Sequence, residues 1–335
     1  MKGAYFLGDQ RIEIRDIPKP EPGSGEVVIQ MKGSGICGSD FRSYRGDQVR
    51  PSVGGHEPCG VIAEAGSDVT EARIGDRVMM HHYSGCGTCE MCRIGYTQMC
   101  YSHHEVYGFS KDGGHQEFLL APAYSCVQMP ETLTFEAGAA CACGTGTAFH
   151  AVKRLDPQPG ETVAVFGQGP VGLSATMFAA SMGAKVVAVD VTESRLAFAK
   201  ALGAAETIDA SKDDPVQAIR ELTGGPGAEA TLDETGIPDV RIQAVDSARV
   251  WGRVCFVGEG NTTTFDTSGQ IIHRQLTIYG SWTFSIGGLA EVAQYVVEND
   301  IPIDRLIMHT YPLDDIEEAY RQFSSGDSGK IVINI

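Results

Sequence analysis

The run Val163-Ala164-Val165-Phe166 leads directly into Gly167-Gln168-Gly169-Pro170-Val171-Gly172, and Val171–Met182 behind it reads as a helix. A G-x-G-x-x-G between a strand and a helix constrains the fold more tightly than any other feature of this chain. The first glycine makes the turn, the second lets the backbone approach a pyrophosphate, and the third lets the helix pack on the strand. Amides at the helix N-terminus then face the phosphate charge, with Pro170 and Val171 opening the helix. Asp190 ends the next strand, Lys185–Val189, where a carboxylate would bond the adenosine ribose hydroxyls and repel a 2′-phosphate. NAD is therefore expected over NADP. Arg195, close behind Asp190, is a candidate to stack on adenine.

The surrounding texture extends this unit. A helix is read at Glu193–Leu202, and further strands at Ala230–Asp233, Arg253–Val257 and Leu276–Tyr279. Strands alternating with helices predict a doubly wound parallel sheet of the Rossmann type. At 335 residues the chain is too long for one ordinary core. The residues before 147 look different: 26–33, 60–65 and 77–80 read as strands set among Gly, Pro and Asp turn signals such as Pro20-Glu21-Pro22-Gly23. The expected division is a β-rich domain over 1–146, the dinucleotide domain over 147–281, and a return to the first domain over 282–335. That last stretch carries helices at Leu289–Asn299 and Leu313–Ser324 and a strand at Lys330–Asn334.

Cys86, Cys89, Cys92 and Cys100 follow the spacing C-x2-C-x2-C-x7-C, with Gly85, Gly87 and Gly95 between or beside them. Gaps of this size let neighbouring thiolates reach one tetrahedral ion. Four cysteines leave no open position, so a lobe at about 84–102 is expected to hold a structural zinc. The chain has ten cysteines and opens on MKGAYFLGDQRIEIRD, which lacks the apolar core of a secretory signal. Metal rather than disulfides, and a cytoplasmic location, are the expectations. The longest apolar stretch, Val163–Val191, is broken by glycines and Pro170 and is not read as a membrane span. A formal net charge of −17 argues against nucleic acid and anionic lipid as partners.

Other metal-ligand residues are dispersed: Cys37 in G-I-C-G-S-D, His56-Glu57 in G-G-H-E, and Cys143 in C-A-C-G-T-G-T. Spacing alone does not join them. Together with Gly75-Asp76-Arg77-Val78, the cysteine lobe, G-x-G-P-V-G and the closing G-K-I-V-I-N, they come in the order found in one family. From end to end the chain resembles the zinc-containing medium-chain dehydrogenases/reductases of alcohol and polyol dehydrogenase type.

The resemblance implies a GroES-like catalytic domain beside the Rossmann domain. It also implies two zinc ions per chain, one catalytic and one structural. Cys37, His56 and Cys143 would ligate the catalytic zinc, leaving a position for water or substrate. Glu57 would be the neighbouring glutamate that enters or leaves the metal shell. Cys141 competes with Cys143 for the third position, and the register of Thr147 and His150 favours Cys143. Asp40 would fix the His56 tautomer. Ser39 would take the substrate hydroxyl proton. Thr147 would stand behind the nicotinamide ring, and Val257 is a further cofactor-side position. Many relatives place a relay histidine three residues after that serine; here the place holds Arg42, which cannot act as a base. Tyr44 or a nearby histidine could assist instead, or Arg42 could grip a cofactor phosphate or an anionic substrate. His81, His82, His103 and His104 are read as pocket-rim or surface groups, and Cys59, Cys126, Cys141 and Cys255 as small buried residues.

A small-molecule alcohol is the expected substrate, of the secondary alcohol, diol or sugar alcohol kind. Zinc would polarise its oxygen, and nicotinamide would accept the hydride. An NADP-linked aldehyde or ketone reductase of the same family is the first alternative, which Asp190 opposes. A non-catalytic, crystallin-like relative is the second, which the open ligand set opposes. The family resemblance implies a homodimer or homotetramer.

Overall fold

The computed structural model of the chain describes residues 1–326 and 328–335. It divides into two compact units, Met1–Gly146 with Phe284–Ile335, and Thr147–Thr283.

The first unit is built on a seven-stranded sheet. Its strands run in the order Ile307–Pro312, Lys330–Asn334, Glu26–Gly35, Glu57–Ala65, Arg77–Met80 and Cys126–Gln128, with Phe118–Pro122 also paired to Glu26–Gly35. Val27, Ile29, Met31, Ile62, Val78 and Leu119 fill one core of this unit. A second core joins Phe6, Ile36, Tyr44, Tyr320, Phe323 and Ile331, so the C-terminal helix Ile316–Ser324 packs against the segment that leads into Cys37. The hairpin Lys2–Gly8/Arg11–Asp16 has no counterpart in the sequence reading. Its turn residues Asp9 and Gln10 both have positive φ, 50° and 60°. Such turns are usually announced by Asn-Gly or Asp-Gly, and Asp-Gln carries no such signal.

The second unit contains six parallel strands: Thr162–Phe166, Lys185–Asp190, Glu206–Asp209, Ala228–Asp233, Ala248–Phe256 and Thr277–Gly280. Taken in chain order they lie 3-2-1-4-5-6 across the sheet. The order reverses between Thr162–Phe166 and Ala228–Asp233, and ligands of open α/β sheets bind outside the strand ends at such a point. Ala164, Phe166, Val187, Val189 and Ile208 form its core. The fifth strand starts at Ala248, well before the expected Arg253. Trp251 sits at φ 63° beside Gly252, which interrupts the apolar alternation that marks a strand. Two helices absent from the sequence reading, Pro215–Leu222 and Pro238–Ser247, each start on a proline that suits the first helical turn. Among the described residues no helix is long and apolar enough to cross a membrane.

Candidate metal centre and dinucleotide crevice

Three separate parts of the first unit converge on one point. Cys37 follows the strand Glu26–Gly35 and precedes the short turn Gly38–Asp40. His56 and Glu57 stand at the start of the strand Glu57–Ala65. Cys143 immediately precedes the helix Gly144–Leu155. One ligand atom from each of Cys37, His56, Glu57 and Cys143 lies within 4.8 Å of the others. Gly35 and Glu57 are cross-strand partners, and a Cβ on Gly35 would fall 1.8 Å from Glu57 Oε2. Only glycine leaves room for that carboxylate.

Hydrogen bonds orient the donors. His56 Nδ1–H donates to Asp40 Oδ1 at 2.8 Å, which leaves Nε2 facing the thiols. Asp40 Oδ2 also accepts the Cys37 N–H at 2.9 Å, so one carboxylate positions two of the four donors. Ser39 Oγ lies 3.1 Å from His56 Nε2, and Ser39 is exposed while His56 is buried. Glu57 Oε1 accepts the Gly144 N–H at 3.3 Å, and Glu57 Oε2 pairs with Lys330, which also donates to the Ile36 carbonyl at 3.0 Å. Cys141 is buried outside this set, and burial pushes its thiol up to about 12.

The charges of this pocket are balanced by protons. A hydrogen bond from Cys143 holds the Cys37 thiol well below its ordinary range, against burial and with help from His56. The same bond, with burial, pushes Cys143 well up. Burial raises Glu57 to about 7, with Lys330 pulling it back. Burial disfavours the charged His56, yet Asp40 and Cys37 outweigh it and raise the imidazole well above its usual value. Two thiols, an imidazole and a carboxyl in this state suit a divalent cation that replaces the protons. Nitrogen and sulfur donors with one extra carboxylate match zinc with an open position.

The cysteine lobe is a different construction. A two-residue ribbon, Tyr83–Ser84 with Glu105–Val106, carries it. Cys86 Sγ lies 4.0 Å from Cys92 Sγ, and Cys89 Sγ lies 3.9 Å from Cys100 Sγ. Zn–S bonds of about 2.3 Å at tetrahedral angles put sulfurs about 3.8 Å apart. The four donor atoms lie within 4.8 Å of one another, and all four residues are half-buried. Hydrogen bonds from Thr88 and the Cys89 amide lower Cys86 to about 5, whereas burial pushes Cys92 up to about 12.

Several groups in this unit escaped the sequence reading. Tyr320 OH donates to Asp40 Oδ2 at 3.1 Å and stands 2.9 Å from His115 Nε2, so a buried chain runs from the C-terminal helix through Asp40 to His56. Only the fold brings Tyr320 to Asp40, and no local pattern marks either contact. Lys330 was visible only as part of the closing strand. His81 and His82 are buried rather than on a rim: His81 Nε2 donates to the Phe284 carbonyl at 2.9 Å and His82 Nδ1 to the Ala142 carbonyl at 3.2 Å. His103 and His104 are exposed. Tyr44 is buried among Phe6, Phe41 and Tyr320, and Arg42 is exposed.

In the second unit, Gly167 makes the turn after its strand at φ 88°. A Cβ on Gly172 would fall 1.7 Å from the Gly167 carbonyl oxygen, so helix and turn meet only through glycine. Gly169 precedes the helix, with Pro170 in its first turn and Val171 next. Asp190 is nearly filled by backbone amides of the fingerprint turn and of the two residues after it: Oδ2 accepts the Gln168 N–H at 2.6 Å, and Oδ1 accepts those of Val191 and Thr192 at 2.8 and 2.9 Å. Arg195 pairs with Asp190 at 3.8 Å. Val257 bonds the Asp233 carbonyl at 2.9 Å, past the end of the fifth strand. Thr147 lies half-buried on the helix Gly144–Leu155.

Comparison with known proteins bears on both units. Residues 23–131 match the alcohol dehydrogenase GroES-like domain, and residues 170–298 match the zinc-binding dehydrogenase family. The chain is 37% identical to the uncharacterized zinc-type alcohol dehydrogenase-like protein YphC of Escherichia coli (strain K12), over 100% of this chain and 98% of that one. It is 31% identical to an L-threonine 3-dehydrogenase of Bacillus velezensis, over 96% and 94%. The structure resembles alcohol dehydrogenase TADH from Thermus sp. ATN1, with a TM-score of 0.93 at 27% identity over 100% and 99% of the two chains. It also resembles the alcohol dehydrogenase rspB from E. coli CFT073 complexed with NADH, with a TM-score of 0.91 at 27% identity over 100% and 99%. A zinc-binding dehydrogenase from Sinorhizobium meliloti 1021 bound to NADP gives a TM-score of 0.91 at 27% identity over 100% and 99%.

Proposed function

Because the chain belongs to the zinc-containing medium-chain dehydrogenase/reductase family, we propose that it is an NAD-linked alcohol dehydrogenase acting on a secondary alcohol, diol or sugar alcohol. The observation that carries this reading is the convergence of Cys37, His56, Glu57 and Cys143 within 4.8 Å, held by Asp40 and containing two thiols rather than four. In this reading Cys37, His56 and Cys143 hold a catalytic zinc, with Glu57 as an exchangeable neighbour, and Cys86, Cys89, Cys92 and Cys100 hold a structural one. The catalytic zinc supplies Lewis acidity that lowers the pKa of an alcohol, and the nicotinamide supplies the hydride acceptor.

The remaining work falls to the chain's own side chains. Asp40 keeps the proton on His56 Nδ1, so Nε2 stays a donor atom for metal. Ser39 Oγ stands at the exposed edge of the donor set and receives the substrate hydroxyl proton there. Lys330 holds the Glu57 carboxylate when it is out of the metal shell. Gly167, Gly169, Pro170, Val171 and Gly172 cradle the pyrophosphate, while Asp190 with its one remaining acceptor site faces the ribose. Thr147 and Val257 line the nicotinamide side. A cytoplasmic homodimer or homotetramer is part of this reading.

One observation favours a second reading. Arg195 pairs with Asp190, and an arginine at this position can accommodate a 2′-phosphate. NADP use is therefore the alternative. Two measurements test the function: metal content of enzyme never exposed to chelator, and absorbance of reduced cofactor on a panel of primary, secondary and polyhydric alcohols with each cofactor. Two zinc ions and NAD-linked turnover of secondary or polyhydric alcohols are expected. Fewer than two zinc ions, or equal turnover with both cofactors, counts against it.

A further inference from the structure

Asp40 ends the short turn Gly38–Asp40 and is fully buried, and among the described residues no lysine or arginine pairs with it. Its carboxylate is supported by hydrogen-bond donors instead. Oδ1 accepts the His56 Nδ1–H at 2.8 Å, while Oδ2 accepts the Cys37 N–H at 2.9 Å and the Tyr320 O–H at 3.1 Å. His56 and Cys37 belong to the metal-donor set itself. Tyr320 reaches Asp40 from outside that set, 280 residues further along the chain.

The Tyr320 hydroxyl is aimed rather than free. Its ring is fully buried on the helix Ile316–Ser324, with the Phe6 and Tyr44 rings each 5.2 Å away. Its oxygen lies 2.9 Å from His115 Nε2. Burial pulls that imidazole down to about 4, against the pull of Asp40, so it is neutral and carries one N–H. His115 Nδ1 is buried without a partner among the described residues, so the N–H belongs on Nε2, facing Tyr320. His115 therefore donates to Tyr320, and Tyr320 donates to Asp40. The segment before His56 fixes His115 in turn. The His115 amide donates to the Gly54 carbonyl at 2.9 Å, and a Cβ on Gly55 would fall 2.6 Å from the imidazole ring. A core aromatic kept for packing alone needs no hydroxyl, and burying a hydroxyl beside an imidazole is unfavourable unless the two are bonded.

We propose that Tyr320, oriented by His115, is a positioning residue for the dispersed metal set: its O–H fixes the rotation of the Asp40 carboxylate and so the direction in which His56 Nε2 faces the cation. This rests on the zinc-binding reading of Cys37, His56, Glu57 and Cys143 above, but not on the substrate or on NAD over NADP. Without the O–H, Oδ2 keeps only the Cys37 amide. The carboxylate can then swing, and Oδ1 no longer pins the imidazole plane. Outer partners of metal-bound histidines carry about 10–100-fold in metal affinity, and a group one step further out should fall at the lower end.

The test reads metal retention rather than turnover. Tyr320→Phe removes the hydroxyl and leaves the ring. His115→Leu removes the donor behind it, and His115→Gln keeps an N–H near the place of Nε2. The zinc-loaded parent and variants are titrated with a chelator. Thiols that lose their metal are trapped with iodoacetamide and located by mass spectrometry, which separates Cys37 and Cys143 from the four cysteines of the lobe. Thermal melts follow folding. Tyr320→Phe should release the dispersed site at about 10-fold lower chelator and keep the lobe at its parental level. The cobalt(II)-loaded variant should show a shifted visible absorption band, which a loss of packing elsewhere would not produce. His115→Leu should follow Tyr320→Phe, and His115→Gln should return towards the parent. Parental retention with an unshifted cobalt band in Tyr320→Phe would overturn the proposal. So would loss of both metals in step with a lowered melting temperature, which would make Tyr320 a core aromatic only. Should Tyr320→Phe not fold, the two His115 variants decide, and equal retention in both overturns the proposal. A parent whose Cys37 and Cys143 hold no zinc would overturn the reading on which the proposal rests, and the proposal with it.

Discussion

Cys86, Cys89, Cys92 and Cys100 lie within one fifteen-residue stretch, half-buried, and their sulfurs are bonded by one another, by Thr88 and by neighbouring amides. Cys37, His56, Glu57 and Cys143 come from three parts of the sheet-based unit; Cys37, His56 and Glu57 are each tied to a partner outside the set, and Cys143 is bonded to Cys37. Both groups place four donor atoms within 4.8 Å. The difference lies in what holds them there. The dispersed set is positioned by strands and by the Asp40 and Lys330 side chains, so its geometry can survive without a cation. The lobe has a two-residue ribbon and short turns beneath it, with Thr97 and Gln98 bonding to the Tyr83 and Phe284 carbonyls, and no strand carries any of its four cysteines, so a cation would add directly to what holds the loop together. On the proposed function, one cluster would serve exchange at an open position and the other stability.

The sharpest separation should come from Ser39→Ala. It removes an exposed hydroxyl beside His56 and touches no cysteine. Alcohol oxidation should slow by about 10²–10⁴, the usual size of positioned proton transfer. Zinc content and melting temperature should stay at parental values. A large loss of bound metal would mean that Ser39 belongs to the scaffold of the set rather than to its chemistry.

Asp40→Asn probes the preorganisation. Outer partners of metal-binding histidines are worth about 10–100-fold in metal affinity. Competition with a chelator should therefore empty one zinc position of the variant while the other stays filled. Equal loss from both clusters would erase the distinction drawn between them.

Cys92→Ser addresses the other side. The variant should melt several degrees below the parent and be cut sooner by protease near residues 84–102. The turnover of the fraction that stays folded should be close to parental. If instead the melting point holds and turnover collapses, the lobe serves the reaction, and the division of labour fails. A smaller effect is expected from Asp190→Ser combined with Val191→Arg. Val191 is 65% exposed, so the added guanidinium is free to meet a 2′-phosphate, and preference should move towards NADP.

The same contrast explains what could be read in advance. The cysteine lobe and the glycine fingerprint are local, so spacing, with the strand and helix around the fingerprint, was enough to single them out as candidates. Cys37, His56 and Cys143 could be joined only through resemblance to a family, because strand pairing, not sequence distance, brings them together. Tyr320 and Lys330 were not legible as site residues for the same reason: they reach Asp40 and Glu57 from the far end of the chain. The parallel sheet was legible from its alternation of apolar runs with helices. The N-terminal hairpin was not, because its Asp9-Gln10 turn adopts left-handed angles without the glycine that usually reports them.

The smallest expected effect belongs to Arg42, three residues from Ser39 in sequence. Relatives often carry a titrating imidazole at this place, and arginine cannot take a proton from Ser39. Arg42 is exposed, and Tyr44 is locked into an aromatic cluster, so neither extends the path from Ser39 by side-chain chemistry. The proton would then leave Ser39 directly to solvent, which its own exposure allows. Arg42→His should accordingly keep cofactor binding and turnover of neutral alcohols near parental values at neutral pH. It should also add a group that titrates near pH ~6.5, giving the pH profile of turnover a new inflection there. If Arg42 instead grips an anionic substrate, the same change should raise KM for acidic substrates and leave neutral alcohols untouched. Measuring both substrate classes across pH distinguishes these roles. A drop in turnover of neutral alcohols at every pH would place Arg42 in the reaction itself, and the exit of the proton through Ser39 alone would have to be abandoned.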